Sequence, residues 1–457
     1  MLALILALSS GVVGGLIVAV MPQARSRLRN LVVLVFSVSG TIFSWQVALM
    51  VFAGENFRIV GEFGGLAWSL DPDPLGAVFG LIAATLWLFA AVFSFGYMAG
   101  KHKLRTYYSF LLISFSVTLG VAFSGNLIAL YLFYELLTFA TYPLVIHERS
   151  SEAVKAGAKY ILYNLSGAIL ADCLKNGLNW LLVLFTVGFG VKAAIMPLHR
   201  WLPAAMVAPT PVSALLHAVA VVYSGVYGIL RVVYSVFGHE LMAELSFSSM
   251  LPLIAAFTIL VGVTIATQQD VLKRRLAYHT ISQLSYILLG AFTLQPSGLT
   301  GAILHMISYS TLKVTLFFCA GIIVEQTGEI KVGKMGGVGW SLPMTMAAFG
   351  IASLGMIGML PLNTFWSKYY LMKGSVAGGR WPLALVLIAS GIINAVCFIP
   401  TVVTAFRGKS VQPNAERGGR VALMLAPTLL LAAIALSIGL WPGIVWSGVQ
   451  AVVNWFF

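Results

Sequence analysis

The chain has 457 residues, 60% of them hydrophobic and only 9% charged, and its mean hydropathy is +0.95. A water-soluble domain cannot bury that much apolar sequence, so the composition excludes a soluble globular protein and predicts a polytopic membrane protein. The net charge of +13 does not indicate nucleic-acid binding, because basic cytoplasmic loops produce the same excess and no aromatic-plus-basic module is visible.

Hydropathy predicts fourteen transmembrane helices, numbered as spans 1 to 14. The apolar runs are about 20 residues long, the length of a helix that crosses hydrocarbon and about twice that of a barrel strand. The expected fold class is therefore an all-α polytopic membrane protein. In chain order the spans cover residues 2–20, 30–53, 75–99, 107–124, 126–146, 154–174, 178–196, 211–236, 248–267, 276–294, 299–324, 342–372, 381–406 and 422–443.

Basic residues in the loops orient the spans. Every loop that follows an odd-numbered span carries Lys or Arg, often as a cluster such as residues 273–275. The loops that follow even-numbered spans carry only Arg58, Lys175, Lys373 and Arg380. Cytoplasmic loops are the basic ones, so both termini are expected on the outer side of the cytoplasmic membrane. Span 1 has no basic region before it and no obvious cleavage site after it, so it is interpreted as a retained helix and not a signal peptide.

The sequence predicts no cofactor, no metal site and no soluble domain. It contains no Walker A motif, no GxGxxG after a strand and no CxxC. Cys173, Cys319 and Cys397 lie far apart, within or at the ends of apolar segments, and are interpreted as packing residues. Without a redox or hydrolytic site of its own, the chain is expected to draw energy from an ion gradient or from partner subunits.

Sorting the ionisable residues by depth within the spans leaves six that cannot be explained as loop charges. They are Glu135 in span 5, Lys192 in span 7, His217 in span 8, His305 and Lys313 in span 11, and Lys368 in span 12. A single intramembrane histidine is more often a satisfied packing residue, but mid-membrane lysines are costly and usually line an ion path. Six such residues on five spans therefore indicate a path. Arg231 and Asp172 lie near span ends and are interpreted as snorkelling side chains.

The chemistry of these six residues suits proton transfer. A buried carboxylate and a buried ammonium can hold or release a proton as their separation changes, and a histidine can accept and donate on opposite ring nitrogens. His305 and Lys313 are eight residues apart, about 12 Å along one face of a helix. That spacing fits a relay through water and not a direct contact.

Residues that interrupt helices stand beside two of the lysines. Gly190 and Pro197 flank Lys192, and the sequences MPLHRW (196–201) and LPLNTFW (360–366) look alike. Broken helices in corresponding positions of two repeats point to an ion site. Unwound backbone at membrane depth must be buried or face water, so a break beside a lysine supplies the water and free backbone groups that a charge needs.

These stretches resemble the antiporter-like subunits of respiratory complex I, membrane-bound hydrogenases and Mrp-type cation/proton antiporters. The resemblance rests on GFGVKAAIMPLHRWLPAAMVAPTPVSALLHA followed by GVYGILR, on QQDVLKRRLAYHTISQLSYILLG and on HMISYSTLKVTLFFCAG, and it covers roughly residues 70 to 410. It implies fourteen helices, with spans 4–8 and 9–13 as two inverted five-helix repeats and with spans 7 and 12 broken. The implied divisions are residues 1–106 for spans 1–3, 107–236 for the first repeat, 248–406 for the second repeat and 422–457 for span 14.

The resemblance also implies roles for the buried groups. The family's functional positions fall on the paired Glu135 and Lys192, the bridging His217, the relay of His305 and Lys313, and the terminal carrier Lys368. Family members often have a second histidine within the relay, at the position where this chain has Tyr309. Tyr309 is expected to support the relay by hydrogen bonding, with water carrying the proton past it. The connection DCLKNGLNW between spans 6 and 7 is shorter than in most relatives, and the absence of a long lateral helix suggests one of the shorter subunits.

The sequence leaves three functions open. The first is a proton-translocating subunit of a larger complex I-related assembly, which makes the chain a translocase subunit of a multi-subunit oxidoreductase. The second is the Na⁺/H⁺ antiport role of an Mrp-type complex, and the third is a non-pumping membrane scaffold for a soluble enzyme. The complete set of buried ionisable residues argues against the third. The expected partners are neighbouring antiporter-like and other membrane subunits, H⁺ and in the second case Na⁺, and the lipid bilayer.

Overall fold

The structure is a computed structural model in which most residues are helical. It describes residues 1–22, 26–147, 177–411 and 418–457. Ten of the described helices are long and apolar enough to cross a membrane, and two shorter apolar helices accompany them. The protein is thus a polytopic membrane protein, as the composition predicts. Span 6 and Cys173 lie outside the described residues, as does most of the short connection that follows them.

The helices begin and end within a few residues of the predicted spans. Spans 1 to 5 cover Leu2–Val20, Ser26–Phe52, Pro74–Tyr97, Leu104–Ala122 and Leu127–Val145. Spans 9, 10, 11, 13 and 14 cover Leu251–Thr267, Leu272–Phe292, Pro296–Thr327, Pro382–Ala405 and Gly418–Leu440. Short helices in the connections cover Trp201–Ala204, His239–Glu244 and Val338–Ser341. A further helix, Gly443–Phe456, follows span 14 and has no predicted counterpart, because its 14 residues are too few for a span.

The expectation of an all-α chain needs one correction. Strands β1 (Ile59–Phe63) and β2 (Leu66–Leu70) pair antiparallel between spans 2 and 3, with Phe63 opposite Leu66. Residues 64 and 65 are both glycines with positive φ, which is the conformation that a two-residue hairpin turn requires. A Gly-Gly pair between two apolar runs is a hairpin signal, so the sequence carried the information for this element.

Three spans are interrupted at membrane depth. The helix of span 7, Leu178–Lys192, ends before the sequence AAIMP, and span 12 consists of Pro343–Ile357 and Asn363–Ala377. Both interruptions fall where glycine and proline predict them. Span 8 is also interrupted, between Thr210–Ala218 and Val221–Arg231, and this break lacks glycine and proline at the interruption itself.

Span 11 is the long central helix of the described fold. Its 32 residues pack against spans 3, 8, 10, 12 and 14, and most of them are buried. Large apolar side chains on spans 1, 2, 9 and 13 are exposed, as expected of helices that face lipid. Cys319 of span 11 and Cys397 of span 13 are buried and form no disulfide, which agrees with their interpretation as packing residues.

Candidate functional site

Lys192 is the last residue of the helical part of span 7, beside the break. Its side chain is fully buried, and its ammonium donates to the backbone oxygen of Tyr134 in span 5. The same ammonium lies 3.3 Å from the centre of the Tyr134 ring. A carbonyl and an aromatic face both stabilise a cation without supplying a full negative charge. Gly225 of span 8 touches this break, because a Cβ at that position would overlap the backbone of Ala193.

Glu135 follows Tyr134 on span 5 and is nearly buried, with 9% of its surface exposed. Neither of its carboxylate oxygens has a hydrogen-bond partner within the described residues. Lys192 supplies the opposite charge that acts on this carboxylate. No ion pair of 4.0 Å or less joins the two side chains in the described part of the chain; the pairs found there are Arg58–Asp71, Lys101–Glu325 and Arg231–Asp73.

His217 occupies the last turn of the first half of span 8. Its Nδ1 lies 3.3 Å from the hydroxyl of Thr280 in span 10, and its ring is 5.4 Å from that of Phe317. The backbone oxygen of His217, next to the break, accepts from the hydroxyl of Tyr309 at 3.4 Å. The break in span 8 therefore presents a main-chain oxygen to span 11, where the predicted relay lies.

Span 11 carries the relay residues on one buried face. The rings of His305 and Tyr309 stack at 6.0 Å with an angle of 6° between their planes. Lys313 is fully buried one turn further on, and its ammonium donates to the backbone oxygen of Leu276 at 2.6 Å. The distance from Lys313 Nζ to the centre of the Tyr309 ring is 5.8 Å, so Tyr309 stands between the two titratable groups.

Lys368 lies in the second half-helix of span 12, and its side chain reaches back to the break. Its ammonium donates to the backbone oxygens of Met356 at 3.0 Å and Ile357 at 2.7 Å. These oxygens end the first half-helix, where carbonyls lack partners in their own helix and carry the negative end of the helix dipole. Gly358 makes room for the lysine, since a Cβ there would lie 2.7 Å from Lys368 Cδ. His305 Nδ1 lies 2.9 Å from the hydroxyl of Ser367, the residue before Lys368.

All seven predicted site residues are buried, and we call this set the polar axis. The polar axis comprises Glu135, Lys192, His217, Tyr309, Lys313, His305 and Lys368. Direct contacts link His217 with Tyr309 and Tyr309 with His305, whereas no described hydrogen bond links Lys192 with His217. No three His, Cys, Asp or Glu residues of the described ranges are close enough to hold a metal ion.

Several polar neighbours of the axis were not predicted. On span 10, His279 contacts Lys313 and Tyr286 stacks on His305, and Gln283 lies between them in sequence; all three are fully buried. Their spacing of four and three residues places them on one face of a helix. The sequence HTISQLSY shows that spacing, so periodicity along span 10 was the signal that could have found them. Thr280 and Ser367, which contact the two axis histidines, carried no comparable signal.

The interpretation of Arg231 as a snorkelling residue is wrong. The Arg231 and Asp73 side chains are only 10% and 13% exposed, and they form a two-pronged ion pair. The hydroxyl of Tyr227 accepts from Arg231 Nε at 2.9 Å. Asp73 also caps span 3 by accepting from Gly76 N at 2.8 Å. The sequence could not reveal this pair, because Asp73 lies 158 positions from Arg231 and a local pattern cannot show such a partner. Asp172 lies outside the described residues.

Curated proteins with similar sequences cover most of this chain. Residues 169–393 match the family described as NADH:quinone oxidoreductase/Mrp antiporter, TM. The NADH-quinone oxidoreductase subunit N of Desulforudis audaxviator is 31% identical in an alignment of 424 positions that covers 84% of this chain and 84% of that protein. The Na(+)/H(+) antiporter subunit A1 of Staphylococcus haemolyticus is 30% identical in an alignment of 435 positions. That match covers 83% of this chain but 53% of the relative, so the chain spans about half the length of such relatives.

Solved membrane complexes contain chains of the same fold. A chain of the Mrp complex from Dietzia sp. superposes with a TM-score of 0.86 at 19% identity, covering 100% of this chain and 98% of that one. A chain of the membrane-bound sulfane sulfur reductase, an archaeal respiratory complex, superposes with a TM-score of 0.86 at 21% sequence identity. The match covers 99% of this chain and 97% of that one. A chain of respiratory complex I from Thermus thermophilus superposes with a TM-score of 0.79 at 21% sequence identity, and the match covers 98% of this chain and 99% of that one.

The fold and the site define a polytopic membrane protein with ionisable side chains buried beside interrupted helices. The sequence relatives give this class its family. The chain belongs to the antiporter-like membrane subunits of NADH:quinone oxidoreductases and Mrp antiporters.

The buried ion pair gives a prediction about stability. Asp73→Asn keeps an oxygen to cap span 3 but leaves the Arg231 charge without its counter-charge. We expect a loss of about 3 kcal/mol in stability, as for removal of one partner from a buried pair. The midpoint of thermal unfolding of the purified protein in detergent measures it.

Asp71→Asn is the matched control for this prediction. Asp71 faces Arg58 at 4.0 Å, and the two side chains are 44% and 59% exposed. An exposed pair contributes roughly 0–1 kcal/mol, so this variant should melt close to wild type. Equal melting of the two variants would mean that Arg231 is solvated and does not depend on Asp73.

Proposed function

We propose that this chain translocates protons as a subunit of a larger, redox-driven complex related to complex I. The observation that carries the proposal is the burial of six ionisable residues beside or between interrupted helices. Charges at membrane depth are expensive, and a chain that retains three lysines there gains something other than stability from them. The family membership of the chain supports the same conclusion.

In this proposal fourteen spans form two inverted repeats, spans 4–8 in residues 107–236 and spans 9–13 in residues 248–406. Residues 1–106 and 422–457 flank the repeats. The ten long described helices and the breaks in spans 7 and 12 support this division. Each repeat then contributes one broken helix with a lysine at its break, Lys192 in the first and Lys368 in the second.

Each residue of the polar axis has a role in the proposal. Glu135 and Lys192 form a switch, because a change in their separation changes how firmly each holds a proton. His217 passes the proton between the repeats, and His305 and Lys313 relay it with Tyr309 and water between them. Lys368 is the last carrier. The chain provides no redox chemistry in this scheme, so the driving force comes from neighbouring subunits.

The proposal places both termini on the outer side of the cytoplasmic membrane. The distribution of basic residues supports this orientation, since the loops after odd-numbered spans are the basic ones. Lys368 follows the break of span 12, which runs from inside to outside. Protons leaving from Lys368 therefore exit to the outer side.

A reporter fused after Phe457 tests this orientation. Alkaline phosphatase, which is active only outside the cytoplasm, should be active in the fusion, whereas a fluorescent reporter that folds only in the cytoplasm should be dark. A phosphatase fused in the loop after Lys409 is the internal control and should be inactive. The reverse result at Phe457 would show an odd number of spans or an inverted orientation.

Na⁺/H⁺ antiport within an Mrp-type complex is the second candidate function. Two observations favour it: the 30% identity to an Na(+)/H(+) antiporter subunit A1 and the TM-score of 0.86 with the Mrp complex. The partner subunits discriminate between the two candidates. Iron–sulfur or hydrogenase-like subunits that co-purify with the chain would support redox drive, and small membrane subunits alone would support Mrp-type antiport. If the chain were a scaffold without transport, the soluble enzyme of the complex should stay active after replacement of any residue of the polar axis.

Replacing Glu135 tests the switch. Glu135→Gln keeps the size and hydrogen-bonding capacity of the side chain but removes the negative charge that acts on Lys192. We expect proton translocation to be abolished while the complex still assembles. The measurement is acidification of reconstituted vesicles with a pH-sensitive dye, together with the subunit composition of the purified complex.

Glu240→Gln is the matched control for the switch, because Glu240 is exposed in the short helix His239–Glu244, outside the polar axis. This variant should translocate protons at the wild-type rate. If Glu135→Gln also translocates protons at the wild-type rate, the Glu135 carboxylate has no role in translocation.

Replacing Lys368 tests the exit. Arginine keeps the positive charge and still finds the carbonyls of Met356 and Ile357, but a guanidinium does not release its proton at any accessible pH. Lys368→Arg should therefore assemble and fail to translocate. Lys368→Glu should retain partial activity, since a carboxylate can also carry a proton. If the arginine variant translocates as fast as wild type in the same vesicles, Lys368 is a fixed charge and the exit lies elsewhere.

A further inference from the structure

His279 of span 10 contacts the central lysine of the relay. Its Nδ1 lies 3.4 Å from Lys313 Nζ, and its side chain is completely buried. Its Nε2 makes no well-aligned hydrogen bond of 3.5 Å or less with a described residue, although the Asn394 side chain is a hydrogen-bonding neighbour of the ring, and the ring meets Phe398 edge-on at 4.8 Å. An ammonium can only donate, so Nδ1 is the accepting nitrogen and Nε2 carries the ring proton. His279 is thus poised to take a proton from Lys313 on one side and release one on the other.

The released proton would enter a strip of buried polar side chains between spans 10 and 13. Gln283 and Tyr286 continue the face of span 10 that begins with His279. On span 13, Asn394 lies beside His279, and Ser390 lies beside Tyr286. We call these five residues the span 10–13 strip.

The polar atoms of this strip lie close to one another but are not joined by short, well-aligned hydrogen bonds. Both amide atoms of Gln283 and of Asn394, the hydroxyl of Tyr286 and the hydroxyl oxygen of Ser390 are buried and make no well-aligned hydrogen bond of 3.5 Å or less to any described residue, although Asn394 acts on His279, and Ser390 and Gln283 act on Tyr286, as hydrogen-bonding neighbours. Buried polar groups are normally paired with protein or with ordered water, and at membrane depth each unpaired group is costly. Neighbouring polar side chains whose direct hydrogen bonds are long or misaligned are suited to bond through water between them.

The strip ends at the proposed exit. The ring of Tyr286 stacks on that of His305 at 5.0 Å with an interplanar angle of 10°. Lys368 Nζ lies 5.4 Å from the centre of the Tyr286 ring. The strip therefore starts at Lys313 and reaches Lys368 along span 10. The path along span 11 connects the same two lysines through Tyr309, a phenol that rarely ionises near neutrality.

We propose that His279 is a proton carrier between Lys313 and Lys368. The proposal rests on the proposed function of the chain. The Lys313 ammonium gives a proton to Nδ1, and the Nε2 proton leaves toward Asn394 and water in the strip. Lys313 is then neutral, His279 is again neutral with its proton on Nδ1, and rotation or a second transfer resets the tautomer. One proton enters and one leaves, so the step balances.

The alternative is that His279 is only an acceptor that holds Lys313 in place. His279→Gln separates the two roles, because a glutamine oxygen can accept from the ammonium but cannot take up its proton. In the whole complex in vesicles, we expect assembly to be unchanged and proton translocation to fall by roughly 10²-fold, the lower end of what a positioned proton-transfer group contributes. His239→Gln, at the outer end of the fold against Phe457, is the matched control and should translocate normally.

Moving the histidine to span 11 gives a readout that a purely structural role would not produce. In the His279→Gln background, Tyr309→His places an imidazole between His305 and Lys313 and should restore most of the lost rate. A ¹⁵N spectrum of the histidine rings, with the His279 signal assigned by its loss in His279→Gln, gives an independent check. A carrier must change its protonated nitrogen when a proton gradient is imposed.

Two results would overturn the inference: wild-type translocation by His279→Gln, or a His279 ring whose protonation stays fixed under the gradient. These outcomes leave the proposed function untouched, provided that the wild-type complex translocates protons and Glu135→Gln does not. Failure of the wild-type complex itself to move protons would instead refute the proposed function. Restoration by Tyr309→His together with a changing ring signal would establish His279 as part of the path.

Discussion

The structure depends on one constraint: a charge in hydrocarbon must find its partners within the protein. Three buried lysines meet it in the same way, by donating to main-chain oxygens of Tyr134, Leu276, Met356 and Ile357. A carbonyl is a dipole and not a counter-ion, so it stabilises an ammonium less strongly than a carboxylate would. Less interaction energy is therefore lost when the ammonium gives up its proton beside a carbonyl than beside a carboxylate. A group that carries protons needs this property.

The interruption of span 12 supplies two of these oxygens, those of Met356 and Ile357, whereas Tyr134 and Leu276 lie inside the continuous helices of spans 5 and 10. A continuous helix uses almost all of its carbonyls internally, and a broken one leaves several unpaired at each end. At the end of the first half of span 12 these oxygens bind Lys368, and beside the break of span 8 the His217 oxygen binds Tyr309. The cost of unwinding is offset by these contacts and by close packing, as where Gly225 admits span 8 against the end of span 7.

The sequence predicted the features that depend on composition and local pattern. Apolar runs located the described spans, Gly and Pro located the breaks in spans 7 and 12, and depth alone selected the buried ionisable residues. Features that depend on distant contacts were missed. The break in span 8 has no glycine or proline at the interruption, and the partner of Arg231 lies on another span. His279 was not recognised because only its contact with Lys313, on a different helix, marks it as part of the site. The hairpin was missed for a different reason, since its Gly-Gly turn was visible in the sequence.

The hydrogen bond from the Tyr309 hydroxyl to the His217 oxygen has a consequence for how such a chain can change over evolutionary time. Its acceptor belongs to the backbone, so the identity of residue 217 can vary without breaking it. Its donor is a phenol, and a phenylalanine at 309 would lose the bond altogether. Variation is therefore unequal on the two sides of this contact: the side chain of residue 217 can change without loss of this bond, while residue 309 keeps the bond only with a side chain that can donate across the gap. A side chain at 309 that cannot donate leaves the His217 oxygen without this hydrogen bond.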